Sequence, residues 1–219
     1  MEKFIFDIDG TLLKTNWEYE EIYFKSVLTP NDANVFIPNI STFLANYESS
    51  FLRYDINVLS QYLTDVSGVK ITPDIVKGWL DAGKDYYDVV PGAEEVLLYL
   101  KEQKKKVVAL SNWFTEMNKT RLDNAGLLKY FDRVYCSDVV DMKPNFSSYI
   151  TACGDTPLTD TVMIGDSLQL DVIRPMELGM DALWFCPNEK KFIDKPKVKV
   201  IRRLNEIKEM YWYEDGRST

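Results

Sequence analysis

Histidine is absent from the 219-residue sequence. Without an imidazole, the chain cannot form a Ser-His-Asp or Cys-His nucleophile pair, and it cannot hold zinc through histidine. If the protein is an enzyme, its acid–base chemistry must come from carboxylates, lysine or tyrosine.

Cysteine is scarce, and long runs of one chemical character are missing. The 3 cysteines are odd in number and lack CxxC spacing, so we expect reduced thiols and a cytoplasmic protein. No apolar stretch is long enough to span a membrane. Acidic residues outnumber basic ones by 34 to 26, and the densest basic run is Lys104-Lys105-Lys106. Nucleic acid is therefore an unfavourable partner, because phosphate contacts need a basic surface.

From Pro91 onward, short apolar strands alternate with helices. This rhythm predicts a parallel sheet with helices on both faces, an α/β fold. The predicted strands are 4–8, 106–110, 133–136, 161–164, 181–186 and 198–201. The predicted helices are 93–103, 115–125, 144–153, 173–178 and 204–211, and the last six residues, EDGRST, are predicted to be loose.

Residues 14–88 form a helical insert in this pattern. Helices are predicted at 17–28, 40–47, 51–66 and from Thr72 onward, with a loop at 30–38 and no strand. We therefore divide the chain into a core of residues 1–13 and 89–219 and a helical domain of residues 14–88. The many aromatic residues of the insert are typical of the core of a small bundle. Arg53 and Lys25 are candidate substrate contacts.

The first predicted strand ends in the sequence FDIDGTLL. Asp7 and Asp9 are two residues apart, so in a strand both carboxylates would point to the same side and repel each other. A bound cation would relieve this repulsion, which makes the pair a candidate metal site.

Further polar residues follow the other strands, at the edge of the sheet where ligands bind in parallel α/β folds. They are Ser111 and Asn112 after KVVAL, Asp166 and Asp171 after TVMI, and Lys143 on the loop that follows the strand near Val134. We expect these side chains to meet Asp7 and Asp9.

The ordered set FDIDGT, LSN, KP and GDSLQLD resembles the four motifs of the haloacid dehalogenase superfamily, and the resemblance extends over nearly the whole chain. It implies a Rossmann-like core with a small α-helical cap inserted after the first motif. It also implies a phosphatase that acts on a small phosphorylated metabolite.

The resemblance assigns a role to each matching residue. Asp7 would be the nucleophile that forms an aspartyl-phosphate, and Asp9 the general acid and base. Mg²⁺ would be bound by Asp7, the backbone carbonyl of Asp9, and Asp166. Asp171 would support these ligands without binding the ion itself. The residues implied to bind phosphate are Gly10, Thr11, Ser111, Asn112 and Lys143.

Two alternatives stay open within this resemblance, as do the substrate and the oligomeric state. Phosphomutase relatives usually carry Val at the position of Thr11, and dehalogenase relatives lack the acid at Asp9, so a phosphatase is favoured over a mutase. A protein that keeps the fold and only binds ligands is the other alternative. Asn145 and Asp141 depart from the common pattern, in which Asp and Gly are frequent.

Overall fold

The computed structural model describes residues 1–188 and 197–215. Its centre is a six-stranded sheet in which all neighbouring strands run parallel, in the order β5-β4-β1-β6-β7-β8. These strands are β1 (Lys3–Phe6), β4 (Lys106–Ser111), β5 (Arg133–Cys136), β6 (Thr161–Gly165), β7 (Asp181–Phe185) and β8 (Lys199–Ile201). The predicted α/β fold is confirmed, and β1 lies in the middle with β4 and β6 on either side.

Helices cover both faces of this sheet. They are α6 (Ala93–Glu102), α7 (Thr115–Asn124), α8 (Phe146–Cys153), α9 (Arg174–Glu177) and α10 (Glu206–Asp215). A π-helical turn, Leu168–Ile173, precedes α9. Helix α10 includes the first two residues of the tail predicted to be loose, and the rest of that tail lies outside the described residues.

The alternation of side chains along β1 shows how the two faces are filled. Phe4 and Phe6 pack in one apolar cluster with residues of α6, α7 and α10. Ile5 points the other way and packs with residues of α8. Because β1 is buried on both faces, its carboxyl end is a rigid position from which the following residues project.

The insert contains five helices between the two strands of a short antiparallel pair. The helices are α1 (Glu18–Val27), α2 (Pro30–Phe36), α3 (Ile40–Ser50), α4 (Ile56–Ser67) and α5 (Pro73–Ala82). The pair is formed by β2 (Leu13–Thr15) and β3 (Tyr87–Val89), with Lys14 opposite Asp88. The chain therefore enters and leaves the helical segment at adjacent points.

Three sequence predictions for the insert were wrong in detail. The segment predicted as a loop at 30–38 is largely helix α2, because Pro30 occupies its first turn and the Thr29 hydroxyl accepts the N–H of Asp32. Helix α4 starts five residues later than predicted, where the Asp55 carboxylate caps it. The strands β2 and β3 were not predicted.

The insert and the sheet domain share apolar contacts. Trp113, Phe114, Met117 and Met142 come from the sheet domain, yet they belong to the same buried cluster as the insert's aromatic residues. Backbone hydrogen bonds also join the two parts: Tyr54 N–H donates to the Ser137 carbonyl at 2.8 Å.

Within the described residues, no helix combines the length and the apolar character that crossing a membrane requires.

Candidate active site

A cavity of about 260 Å³ lies at the carboxyl edge of the sheet, under the helical insert. It brings together the predicted site residues Asp7, Asp9, Ser111, Asn112, Lys143, Asp166 and Asp171. The other lining residues are Trp17, Leu44, Glu48, Trp113, Ser167 and Leu170. Two residues predicted to bind phosphate are not among them. Gly10 lies at the turn beside Asp166, and the Thr11 hydroxyl is buried without a hydrogen-bond partner in the described structure.

Lys143 joins two of the acids at the floor of the cavity. Its Nζ donates to Asp7 Oδ1 at 2.7 Å and to Asp171 Oδ1 at 2.6 Å, and all three side chains are buried. Burial alone would lower the pKa of Lys143, but the carboxylates of Asp171 and Asp7 more than offset this and raise it. Lys143 is therefore held as a cation beside the Asp7 carboxylate.

The pKa of the Asp7 carboxyl is shifted in the direction that favours its neutral form. Burial raises the pKa of its carboxyl well above the usual range, Lys143 acts in the opposite direction, and Asp171 and Asp166 raise it further. A carboxylate must be ionised to act as a nucleophile. A further positive charge beside Asp7 would favour its ionised form.

The acids Asp7, Asp166 and Asp171 can offer oxygen atoms that all lie within 4.8 Å of one another. Three carboxylates and the Lys143 ammonium, −3 and +1, leave a formal charge of −2. Hard oxygen donors with this charge suit a divalent ion such as Mg²⁺. The donor set and its charge thus fit the predicted metal.

Two glycines make room for these acids. A Cβ on Gly10, whose φ is +82°, would lie 2.5 Å from Asp166 Oδ2. A Cβ on Gly165 would lie 2.2 Å from Asp171 Oδ2. Since real side chains do not approach this closely, a larger residue at either position would displace an acid of the cluster.

The Asp9 carboxylate has a partner that the sequence analysis missed. Arg121 Nη2 lies 2.7 Å from Asp9 Oδ1, and the Arg121 side chain is fully buried. Each of the two acids after β1 therefore has its own buried side-chain cation: Lys143 contacts Asp7, and Arg121 contacts Asp9. A signal existed in the sequence: Arg121 follows Met117 and Asn118 by four and three residues, so it shares the buried face of α7.

The two residues at the end of β4 are themselves held in place. Asn112 accepts the Lys143 N–H on Oδ1 and donates Nδ2 to the Lys143 carbonyl, both at 2.7 Å. Asn118 of α7 donates to the Ser111 hydroxyl at 3.1 Å. Asn112, predicted to bind phosphate, therefore also fixes the loop that carries Lys143.

The remaining predicted residues have structural partners. Asp171 Oδ2 accepts the Ser167 N–H at 3.0 Å, so both of its oxygens are hydrogen-bonded. Asn145 caps α8 by accepting the Ser147 N–H. Arg53 pairs with Asp141 at 2.8 Å. Lys25 pairs with Glu21 on the surface of α1 and, like Arg53, does not line the cavity.

Two curated relatives match part of the chain. Ribulose-1,5-bisphosphate 5-phosphatase of Halopiger xanaduensis is 30% identical over 105 residues, which are 47% of this chain and 44% of that protein. Pyrimidine 5'-nucleotidase PynA of Streptococcus pneumoniae is 29% identical over 101 residues, 44% of this chain and 43% of that protein. The chain thus matches less than half the length of these relatives.

A solved structure supports the fold over a longer range. The magnesium-bound crystal structure of the HAD-hydrolase YfnB from Bacillus subtilis superposes with a TM-score of 0.67 at 19% identity, covering 95% of this chain and 97% of that one. The model of the haloacid dehalogenase-like hydrolase family matches residues 1–173. The chain belongs to the haloacid dehalogenase-like hydrolases, as its motifs predicted.

Proposed function

We propose that the protein is a magnesium-dependent phosphomonoester hydrolase that acts on a small phosphorylated metabolite through an aspartyl-phosphate on Asp7. The observation that carries this proposal is the floor of the cavity, where an Asp7 oxygen lies 2.7 Å from a buried lysine and beside Asp166 and Asp171. The matched relatives are named as phosphatases of a sugar bisphosphate and of pyrimidine nucleotides, which supports phosphate ester chemistry.

Asp7 performs the first step. Its carboxylate attacks phosphorus, the bond from phosphorus to the ester oxygen breaks, and the phosphoryl group is transferred to Asp7. Lys143 Nζ stabilises the negative charge on the phosphoryl oxygens, and the Ser111 hydroxyl donates to one of them. Mg²⁺ held by Asp7, Asp166 and the Asp9 carbonyl would neutralise further charge on the phosphate.

Asp9 transfers protons in both halves of the reaction. It protonates the departing ester oxygen and then removes a proton from the water that hydrolyses the aspartyl-phosphate. Arg121 orients its carboxylate toward the cavity. Asp171, which is hydrogen-bonded on both oxygens, positions Lys143 between itself and Asp7.

The proposal is tested with p-nitrophenyl phosphate, Mg²⁺ and the variant Asp7→Asn. The amide preserves the size of the side chain and removes the anionic nucleophile, so we expect kcat to fall by at least about a thousandfold. Excess EDTA should abolish the activity of the unaltered protein, and added Mg²⁺ should restore it.

The matched control is Asp74→Asn, the same chemical change on the surface of α5, where the side chain is 93% exposed. This variant should retain full activity. Undiminished turnover in Asp7→Asn, or in EDTA, would refute the proposed mechanism.

A further inference from the structure

The roof of the cavity is chemically different from its floor. Leu44 and Glu48 face the cavity from α3, where their spacing of four residues places them on one side of the helix. Trp17 and Trp113 form the rest of the roof, with ring centroids 6.5 Å apart and nearly perpendicular planes. The roof thus offers apolar and flat surfaces with one carboxylate among them.

Glu48 is held in this position by a buried tyrosine. Its Oε1 accepts a hydrogen bond from the Tyr54 hydroxyl at 2.8 Å, and the ring centroids of Tyr54 and Trp113 are 5.2 Å apart. Burial raises the pKa of Glu48, while the Tyr54 hydrogen bond and the charge of Lys143 act in the opposite direction. An acid fixed against aromatic rings, within the electrostatic reach of the floor, is placed to contact whatever group the phosphate is attached to.

The distribution of charge limits what that group can be. Among the described residues that line the cavity, Lys143 is the one cation, and it already contacts Asp7 and Asp171. Arg174 lines an adjoining cavity with Glu48 and Lys143, but it is paired with Glu177 at 2.6 Å. A second phosphate beside Glu48 would therefore meet a carboxylate, while the cations that line the two cavities already contact other acids. A hydroxyl or N–H group would instead donate a hydrogen bond to the carboxylate.

The cavity is small, which does not by itself separate a nucleoside from a sugar bisphosphate. At about 260 Å³ it lies below the usual range of roughly 300–1,000 Å³ for small-molecule sites. It must hold the phosphate as well as the leaving group. The flat faces of Trp17 and Trp113 suit a single ring.

We infer that Glu48 selects the leaving group: it accepts a hydrogen bond from an uncharged, hydroxyl- or N–H-bearing leaving group of nucleoside type and rejects substrates with a second phosphate. This inference rests on the proposed phosphatase function and deepens it. Of the two substrate classes in the names of the matched relatives, the roof fits nucleoside monophosphates and opposes sugar bisphosphates.

The experiment compares kcat/KM for uridine 5'-monophosphate and for ribulose 1,5-bisphosphate in the unaltered protein and in variants that change the charge of Glu48. The unaltered protein should prefer the monophosphate. Glu48→Gln keeps an acceptor for Tyr54 and removes the charge, so the ratio of the two kcat/KM values should move toward the bisphosphate by about tenfold. Glu48→Lys should move it further in the same direction.

Glu21→Gln is the matched control, because it makes the same change on the exposed surface of α1, and it should leave the ratio unaltered. A purely structural role for Glu48 would lower both kcat/KM values together. A ratio that is the same in all variants, or an unaltered protein that prefers the bisphosphate, therefore overturns the inference. If the unaltered protein also fails to hydrolyse p-nitrophenyl phosphate, the proposed function itself is wrong and the inference falls with it.

Discussion

At the scale of single residues, the site is organised around two buried cations that each contact a different acid. Lys143 contacts the acid proposed as nucleophile, and Arg121 contacts Asp9, the acid proposed to transfer protons. The two carboxylates, only two residues apart, thus line one cavity with separate cationic partners. Each acid can then take a different role in one reaction.

Arg121 is therefore predicted to be a positioning residue. Arg121→Met keeps much of the aliphatic stem and removes the contact with Asp9, so kcat should fall by about ten- to a hundredfold, while KM for p-nitrophenyl phosphate changes little. Arg121→Lys retains a cation and should recover part of the loss.

Steady-state kinetics check this prediction, with thermal unfolding to confirm that each variant is folded. A residue that only supported the fold would reduce the amount of folded protein without changing kcat per folded molecule. A rise in KM at constant kcat would show that Arg121 acts on binding and not on Asp9.

The site residues at the ends of strands could be predicted from the sequence, whereas the residues that reach the site from helices could not. Asp7, Ser111 and Asp166 lie at or just after the carboxyl ends of three neighbouring parallel strands, β1, β4 and β6, so the sheet order alone brings them to one edge. The contact of Arg121 with Asp9 depends on how α7 packs against the sheet, where it contacts β5. The position of Glu48 depends on how α3 lies over the sheet, which no local pattern specifies.

At the scale of elements, the helix boundaries of the insert depend on side-chain caps as well as on apolar periodicity. The apolar periodicity that predicted α4 continues upstream to Phe51, but the helix begins at Ile56 because the Asp55 carboxylate accepts the N–H groups of Asn57 and Val58 at 2.8 and 3.0 Å. The start of α4 is therefore set by the Asp55 cap and not by the apolar periodicity. The strands β2 and β3 are three residues each and depend on one another, so neither has a distinct pattern.

Helix α1 yields a prediction about stability and pH. Glu20 lies in its first turn, and Oε1 is buried without a hydrogen-bond partner in the described structure. Burial raises the pKa of Glu20 from its ordinary 4.5 to about 7, although the nearby Trp79 N–H acts in the opposite direction. The folded chain then holds this proton more tightly than the unfolded chain, so the contribution of Glu20 to stability falls as pH rises from 4.5 to about 7.

Glu20→Gln removes this dependence. The variant should be more stable than the unaltered protein at pH 8, on the order of 2–3 kcal/mol, and the difference should shrink as the pH falls toward 5. Urea unfolding of both proteins at several pH values measures this difference in the free energy of unfolding. The control Glu21→Gln affects only an exposed pair and should change stability by less than about 0.5 kcal/mol. An equal effect of Glu20→Gln at pH 5 and pH 8 would show that its carboxyl is not perturbed by folding.

At the scale of the whole molecule, the insert has two relationships to the sheet domain. Its ends are adjacent, since β2 and β3 pair and the Asn16 N–H donates to the Tyr86 carbonyl at 3.4 Å. Its apolar core, however, is continuous with Trp113 and Met117 of the sheet domain. The first feature makes the segment 14–88 a candidate for removal as a cap, and the second means that removal exposes apolar surface.

The last prediction is that the cap sets selectivity and the sheet domain carries the chemistry. Every residue proposed to act on the phosphate lies outside residues 14–88, whereas Trp17, Leu44 and Glu48 lie within them. Replacing residues 17–85 with a short Gly/Ser linker would preserve the pairing of β2 with β3, and Met117→Gln would reduce the exposed apolar surface. This shortened protein should fold, cleave p-nitrophenyl phosphate weakly with Mg²⁺, and lose the preference for uridine 5'-monophosphate over ribulose 1,5-bisphosphate.

Circular dichroism tests whether the shortened protein folds, and kcat/KM for the three esters tests its selectivity. A folded, shortened protein that ranks the natural esters as the intact chain does would show that selectivity resides in the sheet domain, and a chain that cannot fold without the insert would show that the two parts are one domain.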